Sequence, residues 1–161
     1  MSTWFTQRGV AMVESRSLAL VFATADVHER IVSRAAQHLQ EKGYEDLSPA
    51  VLEFLGTLDC GVNVASDVAR TLGVSRQMVG KTVAQLSRAG YVEQREGTGR
   101  QKCIVFTDRG ERMMADVRAF LAVLDRELGD HLGSGTLART LRALQAIDGL
   151  LAEEDTPQGR S

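Results

Sequence analysis

Three side chains suited to contacts with nucleic acid lie within six residues of one another near the middle of the chain. They are Arg76, Gln77 and Lys81. Arginine and lysine can bind O6 and N7 of guanine, and glutamine can bind N6 and N7 of adenine. The same side chains can also hold a phosphate group without reading a base. We therefore take these three residues as candidates for base readout or for phosphate contacts.

A second group of cations follows around the short sequence Gly97-Thr98-Gly99. Arg100 comes directly after the two glycines, and Arg95 and Lys102 flank it. An arginine at the end of a flexible ribbon can enter a minor groove, where A·T-rich sequence has the most negative potential. The flanking cations can contact phosphates. Taken alone, these three side chains are explained equally well as ordinary solvated charges. The segment that precedes them favours contact with nucleic acid.

That preceding segment is predicted to contain two short helices. Asn63 can cap a helix over 64–72, and Ser75 can cap a second helix over 75–89, with a glycine ending each helix. Three residues join them, which is the spacing of a helix-turn-helix, and Arg76, Gln77 and Lys81 fall on the first two turns of the second helix. The predicted apolar residues of the second helix are Met78, Val79, Val83 and Leu86.

A β-hairpin is predicted next. The segments 91–96 and 100–106 flank the polar tip 97–99, and apolar residues alternate along the second of them. A helix-turn-helix followed by a hairpin is a winged helix, in which the second helix enters the major groove of DNA. The predicted fold class is therefore mainly α, with a winged helix-turn-helix core and a short β-hairpin wing.

Helices are predicted on both sides of this core. Apolar or small residues recur every three or four positions over 18–39, and Ser48 with Pro49 predicts the start of a second helix. After the hairpin, Thr107 can cap a helix that runs to about His131, Gly133 to Gly135 break it, and a last helix follows over 137–151. The first helix also carries apolar residues off its main stripe, which predicts that a partner subunit covers them: Leu20, Phe22, Val27 and Ile31.

The charge is unevenly distributed along the chain. The whole chain has a net charge of −2, whereas residues 62–112 contain nine basic and five acidic side chains. This segment therefore carries +4 and the remainder −6. A basic segment on an acidic body favours contact with a polyanion, although charge alone is more often a solvated surface.

Composition and length limit the remaining classes. The chain has 161 residues, of which 43% are hydrophobic and 25% charged, and it contains two cysteines. No signal peptide or membrane span is evident, so we expect a cytoplasmic protein. We predict a single domain over 1–161, in which 15–60 and 111–152 form the dimer, 61–110 forms the winged helix and 153–161 is a disordered tail.

The segment 63–110 resembles the winged-helix core of the multiple-antibiotic-resistance regulator (MarR) family. It reads VASDVARTLGVSRQMVGKTVAQLSRAGYVEQ and then GTGRQKCIVFTDRG, with the short helix, GVS turn, recognition helix and basic wing of that family. Helix order and spacing fit over about 15–151. The resemblance implies a homodimeric regulator of transcription that binds double-stranded DNA. It also implies a repressor role and release by a small, often aromatic or acidic, effector.

Individual residues carry over from the family pattern. Arg100 matches the arginine of the wing that reaches the minor groove, and Ser75, Gln77 and Lys81 match contacts of the recognition helix. The chain departs from the pattern at Gly80, where a serine or threonine is usual. A glycine there either lets the helix approach DNA closely or is a tolerated small residue. The other departures, which bear on sequence preference, are Gly99, Gln101 and Phe106.

Two alternatives to DNA binding alone stay open. A thiol switch would act through Cys103, although Cys60 and Cys103 are distant in sequence and have no CxxC spacing. A winged-helix dimer can also act as a protein-interaction scaffold. Motifs of the GxGxxG, P-loop, GxSxG and HExxH types are absent, so we predict neither an enzyme nor a cofactor.

Ligand-binding residues are harder to assign. His28 lies on the apolar stripe of the first helix and is better explained as a hydrogen-bonded histidine than as a metal ligand, so no metal is predicted. An effector cleft, by resemblance, would be lined by the first, second and fifth helices. Trp4, His28 and Arg30 are the residues considered for it.

Overall fold

The computed structural model describes residues 15–97, 102–133 and 135–154, without the side chains of 153 and 154. In this part of the chain it contains six helices and one antiparallel pair of strands, which confirms the predicted mainly helical fold class with a β-hairpin. The elements are α1 (Arg16–Glu41), α2 (Pro49–Asp59), α3 (Ala65–Leu72), α4 (Arg76–Arg88), β1 (Val92–Glu96), β2 (Lys102–Phe106), α5 (Asp108–Leu132) and α6 (Thr136–Glu154).

The chain divides into two compact units, Met1–Met113 and Met114–Ser161. The first holds α1 to α4, the hairpin and the start of α5, and the second holds the rest of α5 and α6. None of the described helices is long and apolar enough to cross a membrane.

Serine side chains fix the start of three helices in the first unit. The hydroxyl oxygens of Ser15, Ser48 and Ser75 accept hydrogen bonds from the backbone N–H three residues further on, at 3.2, 3.3 and 3.2 Å. Each bond satisfies an N–H that the helix itself leaves unpaired. Pro49 follows Ser48 at the first helical position, where its missing N–H costs nothing. The predicted caps at Ser48 and Ser75 are confirmed.

The predicted cap at Asn63 is wrong. Helix α3 is preceded instead by Val64, and no side chain caps it. The backbone before α3 is extended and pairs with the hairpin: the carbonyl of Asn63 accepts a hydrogen bond from the N–H of Ile104 at 2.8 Å, and Val64 bridges to Cys103. This pairing joins residues far apart in sequence, and it ties the start of the helix-turn-helix to β2.

The core of the first unit lies between the C-terminal end of α1, α2, α3, α4 and the hairpin, where the packed side chains are almost entirely apolar. Tyr91 is fully buried there, and its hydroxyl donates to the carbonyl of Glu45 at 3.1 Å and accepts from the N–H of Glu45 at 3.0 Å. A buried hydroxyl is costly unless it is hydrogen-bonded in this way. The other fully buried side chains include Leu39, Leu47, Leu55, Val68, Val79, Leu86 and Ile104.

The start of α5 is packed directly against the residue that precedes β1. Thr107 donates its hydroxyl to the carbonyl of Gly90 at 2.6 Å and accepts from the N–H of Gly110 at 3.1 Å, which confirms its predicted capping role. A Cβ atom on Gly110 would lie 2.0 Å from the carbonyl oxygen of Tyr91. Only a residue without a side chain therefore fits at the third position of α5.

The second unit consists of two helices joined by a glycine turn. Gly133 and Gly135 have φ values of +84° and +86°, which glycine adopts most easily, and they end α5 where the sequence predicts a break. Leu124 is buried, whereas Leu141, Leu150 and Leu151 are exposed. Helix α6 continues to Glu154, two residues into the segment predicted to be a tail, and residues 155–161 lie outside the described part.

Candidate nucleic-acid interface

Helix α4 presents two of the predicted contact residues, Gln77 and Lys81, on the side opposite the core. Val79 and Val83 are buried and define its inward face. At 3.6 residues per turn, Gln77 and Lys81 project in nearly the opposite direction. Both side chains are exposed, and so is Arg76 in the first turn. The three polar residues predicted from the sequence are therefore all available to a ligand that approaches α4.

The N-terminal end of α4 is also suited to an anion. Ser75 is exposed, and its hydroxyl oxygen accepts from the N–H of Met78, so its hydroxyl hydrogen points elsewhere and is available for donation. The N-terminus of a helix carries partial positive charge, and the side chain of Arg76 adds a full charge beside it. A phosphate group at this end would meet both.

Met78 differs from the other three apolar residues that the sequence analysis named in this helix. Its side chain is 55% exposed, whereas Val79, Val83 and Leu86 are buried. The reason is angular: Met78 lies about 100° around the helix from Val79, outside the narrow stripe that those three residues form. This residue is a part of the exposed surface that sequence reasoning missed.

Gly80 lies in the middle of α4, and a Cβ atom there would meet nothing within 4 Å. We expect Gly80→Ala to raise the free energy of unfolding by about 1 kcal/mol, because alanine restricts the unfolded backbone more than glycine does. Urea denaturation followed by circular dichroism measures this. Ala84→Gly, also exposed on α4, is the matched reverse change and should lose about as much.

Two outcomes of the Gly80→Ala experiment are informative. A loss of stability would contradict the open space seen beside Gly80. The affinity of the same variant for DNA separates the two roles considered for this glycine. A decrease in DNA affinity would mean that the helix approaches its ligand closely at Gly80. An unchanged affinity would mean that Gly80 is a tolerated small residue.

The hairpin carries the second group of predicted cations. The two strands pair antiparallel, with Val92 opposite Phe106 at one end and Glu96 opposite Lys102 at the other. In this register, Arg95 lies opposite Cys103. Arg95 and Lys102 are both exposed. Arg100 belongs to residues 98–101, which lie outside the described part of the chain, so its predicted position at the wing tip stays a prediction.

Arg95 is held by a neighbouring acid. Its Nε and one terminal nitrogen both donate to Oε1 of Glu93 at 2.6 Å, two residues away on the same face of β1. Both side chains are substantially exposed, so the pair is worth at most about 1 kcal/mol. The predicted phosphate contact of Arg95 therefore has a local competitor that the sequence analysis did not identify.

An open groove of about 480 Å³ separates α4 from β1. Gly80, Ala84 and Ser87 line it from the helix, and Val92, Glu93 and Gln94 line it from the strand. It exists because α4 presents small side chains toward the strand. The groove therefore has α4 on one side and the first strand of the hairpin on the other.

The residues considered for other chemistry are dispersed. Cys60 is exposed at the end of α2, and Cys103 is half-buried in β2. His28 lies in an exposed position, where its Nε2 is 2.9 Å from Oε1 of Glu53, and Arg30 is also exposed. Trp4 lies outside the described residues. In 15–97, 102–133 and 135–154, no three histidine, cysteine or acidic side chains are grouped as metal ligands would be.

Taken together, a helix-turn-helix, a two-stranded hairpin and flanking long helices define a winged-helix fold. Among solved structures it is similar to MarR from E. coli in its apo form, with a TM-score of 0.65 and 16% identity, covering 84% of this chain and 98% of that one. A MarR-family transcriptional regulator from Rhodococcus sp. RHA1 is similar with a TM-score of 0.64 and 18% identity, over 84% of this chain and 96% of that one. RV1404 from Mycobacterium tuberculosis is similar with a TM-score of 0.68 and 18% identity, over 92% of this chain and 100% of that one.

These similarities confirm the expected resemblance at the level of the fold, which is that of MarR-family structures. At this identity, they show the fold and not the function. No protein-family model and no curated protein sequence matches the chain.

Proposed function

We propose that this chain is a transcription regulator that binds double-stranded DNA through α4 and the hairpin. The observation that carries the proposal is the exposed polar surface at the start of α4, where Gln77 and Lys81 lie on the side away from the buried Val79 and Val83 and Arg76 is exposed in the first turn. The fold shared with structures of transcription regulators supports it.

In this proposal, α4 occupies the major groove. A helix has about the diameter of that groove, and its N-terminal turns reach the base edges. Gln77 and Lys81 project farthest from the core, where Gln77 would contact bases and Lys81 would meet a phosphate, whereas Ser75 and Arg76 at the helix start would hold another phosphate. Arg100 at the wing tip would enter the adjacent minor groove, and Lys102 would contact the sugar–phosphate backbone of the DNA beside that groove.

We also propose that the protein works as a homodimer. The N-terminal half of α1 is exposed although it carries several apolar side chains, which include Leu18, Val21, Phe22 and Val27. Exposed apolar surface of this kind marks an interface, and a second copy of α1 is a natural cover for it. Two-fold symmetry would then present two copies of α4 to a near-palindromic site, with half-sites about 10 base pairs apart or a multiple of that.

The regulatory part of the proposal follows the resemblance. DNA binding would repress transcription, and a small aromatic or acidic effector would release the protein from its site. One alternative is that the chain does not bind DNA and acts as a winged-helix scaffold for other proteins.

The other alternative is a thiol switch. In that case peroxide treatment would oxidise Cys103 and change DNA affinity, which mass spectrometry and a binding titration would detect together.

Footprinting of the purified protein on the DNA upstream of its own coding region tests the central claim. We expect protection of a near-palindromic segment and a dissociation constant that rises steeply with salt, because bound cations displace counter-ions from DNA. Retention of no double-stranded DNA at low salt, across that region and a random-sequence pool, would overturn the proposal and favour the scaffold.

The salt dependence of binding gives a residue-level prediction. Lys81→Ala should lower the slope of log affinity against log salt by about 1 if Lys81 meets a phosphate. Fluorescence anisotropy of a labelled duplex, titrated at several salt concentrations, measures this slope. Lys42→Ala, which removes the same charge just beyond α1, is the control and should leave the slope unchanged. Equal slopes for Lys81→Ala and the unaltered protein would remove Lys81 from the phosphate contacts.

A further inference from the structure

We infer that Met78 reads the 5-methyl group of thymine in the major groove. The inference rests on the proposed function, because it assigns a specificity role at the same DNA-binding surface. It adds an apolar contact to a surface whose other proposed contacts are cationic, amide and hydroxyl side chains.

The starting observation is an exposed apolar side chain in an unusual place. Met78 is 55% exposed, and among the described residues from 28 to 120 it is the only large hydrophobic side chain that is exposed to this extent. The other such side chains belong to α1 and to the helices after the hairpin. Because its side chain is not packed in the core, Met78 is available to a ligand of α4.

Its position on α4 places it beside the polar contact residues. Around the helix axis, Met78 lies about 60° from Lys81 and about 100° from Gln77. Side chains on a helix lean toward its N-terminus, so the thioether covers the surface next to Ser75, at the end that would enter the groove first. The hydrogen bond from the Met78 N–H to Ser75 fixes the backbone at this position.

The chemistry then selects one base. In the major groove, thymine is the only base that presents a methyl group, and apolar side chains recognise it by contact. Methionine is unbranched and polarisable, so it can follow the shape of a methyl group without demanding one orientation. Lysine or glutamine at the same place would gain nothing from the methyl group.

Deoxyuridine provides the test because it differs from thymidine only by the missing 5-methyl group of the base. After the bound sequence has been selected from a random duplex pool, each thymine of a half-site is replaced in turn by deoxyuridine. For the unaltered protein, we expect one replacement per half-site to weaken binding about fourfold, the value of burying one such group, and both half-sites together about 15-fold. Met78→Ala should bind more weakly than the unaltered protein and should not distinguish thymine from deoxyuridine.

Three comparisons make the result specific. Lys81→Ala should weaken binding to both duplexes equally and keep the ratio between them. Met78→Leu should keep most of the discrimination, because it retains apolar surface. Deoxyuridine placed outside the protected segment should have no effect.

Two results would overturn the assignment: equal binding of thymine and deoxyuridine duplexes by the unaltered protein, or full discrimination by Met78→Ala. Failure of the proposed function looks different, since the unaltered protein would then bind no duplex of any sequence, and the assignment would fall with it. Circular dichroism of Met78→Ala should match that of the unaltered protein, because the residue lies at the surface.

Discussion

Replacement of Gly110 by alanine is expected to destabilise the first unit by at least about 3 kcal/mol, the upper end of the usual penalty for overfilling a packed site. The new Cβ atom would lie 2.0 Å from the carbonyl oxygen of Tyr91 and 3.0 Å from the ring of Phe106. The first obstructing atom belongs to the backbone, so no change of rotamer relieves the contact. Either the start of α5 or the buried Tyr91 must move, and both movements disturb hydrogen bonds made by Thr107 and Tyr91.

Urea denaturation followed by circular dichroism measures this loss. A protein of this size is typically stable by only about 5–15 kcal/mol, so the variant should unfold at a clearly lower urea concentration. Gly129→Ala is the matched control: it makes the same substitution in α5, where a Cβ atom meets nothing within 4 Å. A stability of Gly110→Ala within about 0.5 kcal/mol of the unaltered protein would refute the close packing described between α5 and Tyr91.

Acidic substitutions in the first half of α1 should separate the proposed dimer. Val21 and Val27 are 59% and 56% exposed. We expect Val21→Glu combined with Val27→Glu to give a monomer at micromolar concentration, because a dimer would bury four carboxylates in an apolar interface. DNA affinity should fall by at least about 100-fold, since two linked half-site contacts become one. Glutamate favours helices at least as well as valine, so α1 itself should persist.

Analytical ultracentrifugation measures the mass, and a DNA titration measures the affinity. Gln40→Glu provides the control, because it adds a glutamate carboxylate at an exposed position near the end of α1, outside the apolar first half. A double variant that stays dimeric would exclude this half of α1 from the interface. An unaltered protein that is a monomer at micromolar concentration would overturn the dimer proposal altogether.

The parts of the fold that could be predicted from sequence are those that depend on local chemistry. Serine or threonine before an apolar repeat defines the starts of α2, α4 and α5, because the capping bond joins residues only three positions apart. The break at Gly133 and Gly135 is equally local. The same reasoning fails at Asn63, where the backbone pairs with Ile104 of β2. Pairing between distant segments leaves no signal in the residues that immediately surround it.

The candidate site shows the same division. The exposure of Gln77 and Lys81 follows from helical periodicity, which the sequence displays. The exposure of Met78 depends on how wide a stripe of α4 the core covers, and the structure shows that this stripe is narrow. Alternation along β1 places Glu93 and Arg95 on one face, but their contact also depends on the rotamers of both side chains, which the sequence does not specify.

The pair formed by Arg95 and Glu93 changes how binding energy would be gained on DNA. For Arg95 to meet a phosphate, its guanidinium must exchange a carboxylate for that phosphate, so the gain is the difference between two attractions of similar kind. Glu93 would then face the polyanion without its counter-charge. Fewer small ions would be released than the number of basic side chains implies, and the complex would be less sensitive to ionic strength than a tally of those side chains predicts.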